Sequence, residues 1–135
     1  MKKVLYLFIG LLAIILLAVL ILFNMPQAST QKKDADITTT PEKIFGHFQQ
    51  DENRANNHYN GKIVQLTGEV LNVSEDQKGA PVIILNANDD FGGVLCTLEK
   101  KPKSLPEKGD QIDIKGQCSG FLGNVVLNKC VIIKN

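Results

Sequence analysis

Twenty consecutive residues, Val4 to Phe23, carry no charge and, apart from the Tyr6 hydroxyl, no strongly polar side chain. A helix rises about 1.5 Å per residue, so this run reaches roughly 30 Å, the thickness of a bilayer's hydrocarbon core. A helix also satisfies its own backbone groups, as lipid requires. A helix of a soluble domain would keep a polar face, and this one has none. The run is longer than the core of a cleavable signal, and Pro26 stands where a small residue is wanted for cleavage after Ala28. An uncleaved anchor over residues 1–24 is therefore expected. The first cysteine is Cys96, so no lipid-bearing cysteine follows the apolar run. Lys2 and Lys3 favour a cytoplasmic N-terminus, and Lys32 and Lys33 weaken that preference. The expected location is the cytoplasmic membrane, single-pass, with residues 4–23 in the bilayer and the C-terminal domain outside the cytoplasm.

The charge of the remainder is uneven. All 14 acidic residues begin at Asp34, and four of the 15 basic residues precede it. The rest of the chain thus sets 11 cations against 14 anions, which gives no built-in attraction for phosphate backbones.

Residues 25–40 are polar, lack apolar periodicity and read as a linker. The domain is expected over 41–135. Thr40-Pro41-Glu42 has the form of a helix start: a hydroxyl cap, a first-turn proline and an acid near the positive end. Ile44, Phe45, Phe48, Ala55 and Tyr59 share one face of a single helix that ends at Asn60-Gly61. From Lys62 the period becomes two. Val64, Leu66, Gly68 and Val70 alternate with polar residues. Val82 to Leu85, Val94 to Leu98, Ile112 to Cys118 and Val125 to Ile133 read as four further strands. Turns are expected at 75–79, 86–93 and 119–124, with a surface connection over 100–110. Five short strands preceded by a helix suggest a mainly β chain built on a Greek-key barrel of the oligonucleotide/oligosaccharide-binding (OB) type. Gly68 and Gly116 fit bends of such a barrel.

The residues Ala55, Tyr59-Asn60-Gly61-Lys62, Val64, Leu66, Gly68, Val70, Val94, Cys96, Gly109-Asp110, Ile112, Ile114, Gly116, Cys118, Gly120, Val126, Leu127, Asn128-Lys129-Cys130 and Ile132 together resemble the tRNA_anti-like family. The resemblance covers roughly Pro41 to Ile133. It implies an OB-fold domain of a small exported or membrane-attached bacterial protein. It brings no catalytic residues, and the family's name reflects fold similarity to anticodon-binding domains rather than a demonstrated tRNA ligand.

Cys96, Cys118 and Cys130 are the candidates for covalent chemistry. In an oxidising compartment two strand-borne cysteines can staple a small barrel. Cys118 and Cys130 enclose the final hairpin and are the favoured pair. A turn over 119–124 would set Cys118 opposite Val125, and Cys96 can pair with either of the others, since the third and fifth strands of an OB barrel are neighbours. Three buried, reduced thiols acting as small apolar residues are the alternative. His47 and His58, eleven apart on one helix, would lie about 16 Å apart along its axis and could not share a metal ion. Glu75-Asp76 and Asp89-Asp90 lack the spacing of a calcium loop, and no cofactor motif is present. Lys100, Lys101 and Lys103 read as a solvated loop. Asn72-Val73-Ser74 has the form of a glycosylation acceptor, relevant only in a eukaryotic secretory pathway. No nucleophile–base arrangement can be assembled, so no enzyme is expected.

Single-strand nucleic-acid binders combine a basic groove with stacking aromatics. Here Phe45, Phe48 and Tyr59 belong to the helix's apolar face, leaving only Phe91 and Phe121 in loops. The expected function is a membrane-anchored binding or scaffold module for a protein or glycan partner. Its contact residues would be Phe91 and Gly92 in one loop and Phe121 and Leu122 in the other. The competing reading is a membrane-attached nucleic-acid-binding OB domain.

Overall fold

The computed structural model describes residues 1–24 and 29–134; Pro26 and Ala28, on which the expectation of an uncleaved anchor turns, lie outside the described residues. Helix α1 (Lys2–Asn24) is long and apolar enough to cross a membrane. None of its residues is buried against the rest of the protein.

The remaining elements are β1 (Ile37–Thr39), α2 (Pro41–Gln50), α3 (Glu52–Tyr59), β2 (Ile63–Glu75), β3 (Pro81–Asn86), β4 (Gly93–Leu98), β5 (Gln111–Phe121) and β6 (Val125–Lys134). Strands β2, β3, β4, β6 and β5 pair in that order, and β5 returns to β2 to close a five-stranded barrel. The β4–β6 pairing is parallel and the other four are antiparallel. This is the OB fold expected from the sequence. The alternation holds inside it: Val64, Leu66, Val70, Val94, Cys96, Ile112, Ile114 and Cys118 all point into the core. Long β2 lets the barrel close, because its first half pairs with β5 and its second half with β3.

The structure differs from the sequence reading in three ways. The expected single helix breaks at Asp51, whose backbone is extended (φ −157°, ψ 94°). Asp51 Oδ1 accepts a hydrogen bond from the backbone N–H of Arg54 at 3.0 Å, which caps α3. Both helices still bury the expected residues, Ile44, Phe45 and Phe48 from α2 and Ala55 and Tyr59 from α3.

The second difference lies in the expected linker, whose later part is built into the domain. Residues 37–39 pair in parallel with residues 64–66 of β2. They lie along the same stretch of β2 as β5, hence on the opposite edge. Asp36 anchors this strand by accepting from the N–H of Ile63 at 2.8 Å and donating its own N–H to the Ile63 carbonyl. Upstream, a short 3-10 turn at Thr30–Lys32 is tied down as well. Ser29 Oγ donates to Glu99 (2.9 Å), and Lys115 Nζ donates to the carbonyls of Gln31 (3.2 Å) and Lys33 (2.8 Å). Residues 29–39 are thus a strap across the barrel, and Thr30 within it is buried.

The third difference is in β5, which runs on to Phe121 and shortens the final turn to residues 122–124. Gly68 and Gly116 are places where another side chain lies against bare backbone. A methyl group at Gly68 would overlap Pro41, and one at Gly116 would overlap Cys130.

Candidate partner-binding rim

Two large apolar side chains of the domain stand almost wholly in water, Phe91 at 92% and Leu122 at 87% exposure. They occupy different loops, β3–β4 and β5–β6, and the fold brings those loops together. The N–H of Gly93 donates to Asn124 Oδ1 at 2.8 Å across the gap. Gly92 sits so close to the Gly123 carbonyl and the Phe45 ring that a methyl group there would collide with both. Glycine at position 92 is therefore what lets the loops touch.

Local hydrogen bonds hold the β3–β4 loop in shape. The Asn88 N–H donates to Asn86 Oδ1 (2.9 Å), and the Phe91 N–H donates to Asp89 Oδ1 (2.9 Å). Helix α2 buttresses it: Gln49 Nε2 donates to Asp89 Oδ2 (3.3 Å), and Asn88 Nδ2 donates to Glu42 Oε1 (3.4 Å). The backbone carrying Phe91 is thus fixed before any partner arrives, which lowers the ordering cost of binding. Glu42, Asp89 and Asp90 surround this corner, and neither loop contains a lysine or arginine. Below the rim, Ile84, Leu95 and Val126 stand opposite one another on β3, β4 and β6, each half-buried on the outer face.

Phe121 does not join Phe91 and Leu122 in solvent. Its ring packs on Phe45 (centroids 5.8 Å apart, 63° between planes) and on Phe48 (5.8 Å, 12°). Being the last residue of β5 rather than part of the turn, it seals the barrel end against α2. Of the four expected contact residues, Phe91 and Leu122 are exposed, Gly92 is the point of closest approach between the loops, and Phe121 packs on Phe45 and Phe48.

The break at Asp51 also creates a feature that a single helix could not have. Helices α2 and α3 fold against each other around a cleft of about 750 Å³ lined by His47, Asp51, Arg54, His58 and Tyr59, among others. His47 and His58, expected about 16 Å apart, instead flank the same ring. Their centroids lie 5.8 and 4.6 Å from that of Tyr59. His47 Nδ1 and the Tyr59 hydroxyl share a hydrogen bond of 2.7 Å. Burial pushes the Tyr59 hydroxyl above its ordinary pKa, and Cys118 adds to the shift. Among the described residues, no three His, Cys, Asp or Glu side chains are grouped so as to hold a metal ion.

The three cysteines are free thiols and all are buried. The favoured Cys118–Cys130 bridge is not formed. Cys118 stands opposite Leu127, not Val125, because β5 runs on to Phe121, which takes Val125 as its partner, and a register shift follows between Gly120 and Cys118.

The tRNA_anti-like family model matches residues 1–131. The chain belongs to the tRNA_anti-like family. Among solved structures, a Klebsiella pneumoniae protein provisionally named a nucleic acid-binding lipoprotein is similar, with a TM-score of 0.54 at 13% identity. The match covers 72% of this chain and 92% of that one. At that identity the likeness is one of fold. No curated protein matches the chain. Family and fold together make this tRNA_anti-like protein an OB-fold binding module.

Proposed function

We propose that this tRNA_anti-like protein is a non-enzymatic docking module, held by α1 at the outer face of the cytoplasmic membrane, whose rim binds a partner protein. The observation that carries the reading is the exposure of Phe91 and Leu122 on two loops that touch. Two nearly bare apolar side chains on touching, hydrogen-bonded loops cost solvation in the free protein and gain on being covered. Glu42, Asp89 and Asp90 around them favour an apolar socket bordered by lysine or arginine. A glycan is the weaker fit, because the rim offers few polar groups beyond those its own loops use.

The test is a photo-crosslinking amino acid placed at position 91 or 122 in intact membranes, with position 78, in the β2–β3 turn, as control. The expected result is an adduct with one protein from 91 and 122 only, lost when the other rim residue becomes aspartate. Equal labelling from position 78 would remove the proposal.

The name of the Klebsiella pneumoniae neighbour supports a second reading, a nucleic-acid-binding domain, against the sequence-based expectation that nucleic acid is no partner. The acidic rim weighs against it, since phosphate contacts dominate such affinity. Saturable binding of a single-stranded oligonucleotide at low salt, weakening steeply as salt rises, would favour this second reading; no binding at low salt would eliminate it.

A further inference from the structure

Cys96 and Cys130 lie in the barrel core, 0% and 1% exposed, on the neighbouring parallel strands β4 and β6. Cys96 stands opposite Leu127 and Leu98 opposite Cys130, with a register shift between them. Within that stretch Lys129 has a left-handed backbone, φ 52°. Strict alternation from Val125 and Leu127 would turn residue 129 inward and Cys130 outward. The irregularity reverses this and turns Cys130 into the core. There both thiols face the same core, near enough that Cys96 acts on the Cys130 thiol. On the other side, Gly116 of β5 leaves the space that the Cys130 sulfur fills. Cys118 has a different neighbourhood, beside Tyr59 and the backbone of Gly120.

We propose that Cys96 and Cys130 close into a disulfide across β4 and β6 in the exported protein, while Cys118 stays a thiol. The inference rests on the reading above that the domain lies outside the cytoplasm, where disulfides persist. The two thiols lose two protons and two electrons as the S–S bond forms. The electrons reduce the disulfide of an oxidising thiol–disulfide exchange partner to its dithiol. Both sulfurs are buried in the folded barrel, and burial, with added contributions from Cys96, holds the Cys130 thiol well above its ordinary pKa, so an exchange partner finds no accessible sulfur there and little Cys130 thiolate. Oxidation therefore belongs to the moment when β6, the last strand in the chain, docks beside β4.

The sequence makes the pairing easy to map. Cleavage after lysine places Cys96 in residues 79–100, Cys118 in 116–129 and Cys130 in 130–134. The full chain would be extracted from membranes with detergent, its free thiols alkylated under denaturing conditions, and the digest analysed without reductant. A second sample would be refolded from denaturant with oxidised glutathione. The expected result in both is residues 79–100 joined to 130–134, with alkylated Cys118. Reductant should lower the thermal midpoint by roughly 10 °C, from the loss of a loop of this length, and Cys118→Ala should leave that shift unchanged. A link through Cys118, or three alkylated cysteines after refolding, would overturn the pairing. A linked refolded sample beside a fully alkylated membrane sample would uphold the pairing and overturn the external placement.

Discussion

Lys129 decides which way the end of β6 faces. Its left-handed backbone costs a residue other than glycine, asparagine or aspartate about 1–2 kcal/mol. That cost is set against the burial of Cys130 and the partial burial of Ile132, both turned toward the core by the irregularity. Lys129→Gly removes the steric cost and adds some unfolded-state entropy. We expect it to raise stability by up to about 1 kcal/mol, and Lys129→Ile to lower it by about 1 kcal/mol or more. Urea unfolding of the detergent-solubilised full chain measures both. The same residue shows where sequence reading runs out. The inward faces of Cys96 and Cys118 follow from alternation. The inward face of Cys130 does not, because no glycine or asparagine at position 129 flags the shift of register. Phe121 lies in a strand rather than the expected turn for a related reason: Ser119 and Gly120 have turn chemistry, yet pairing with β6 carries the strand one residue past them.

At the scale of elements, the break between α2 and α3 is the main departure. Apolar spacing could not detect it, since Ile44, Phe45, Phe48, Ala55 and Tyr59 fit one helix as well as two. The local chemistry did contain the signal. Asp51 stands in the polar run from Gln49 to Asn53, and an aspartate with free N–H groups two or three residues on is a strong cap. Replacing it with alanine should cost about 0.5–2 kcal/mol, whereas Asp51→Asn should keep most of the stability. Chemical unfolding of the two variants side by side checks this, and equal losses would show that the cap is not what ends α2. Strand β1 was invisible for a simpler reason. Three residues are too few to show a period, and its anchor, Asp36, acts through a pairing with Ile63 that only the fold supplies. The touching of the β3–β4 and β5–β6 loops is equally non-local, although Phe91, Gly92 and Leu122 were legible one by one as unusual loop residues.

At the scale of the whole molecule, the chain divides into a helix with no buried residue and a barrel with a continuous core. The full chain should remain with the membrane pellet after an alkaline carbonate wash and enter solution only with detergent. A variant lacking residues 2–24 should be water-soluble and keep its β-sheet circular dichroism. Recovery of the full chain in the wash would rule out α1 as an anchor. The strap sharpens what such anchoring means. Because Ser29 is already bonded to Glu99, the chain between Asn24 and the barrel has only residues 25–28 to spend. That is a reach of roughly 18 Å even when fully drawn out. On the anchoring proposed above, a domain on so short a leash would sample a film of water little deeper than itself. It would meet other tenants of the same membrane at high effective concentration and largely miss whatever diffuses freely beyond. Even a feeble grip by the proposed rim at Phe91 and Leu122 would then be enough for a partner that shares the same lipid floor.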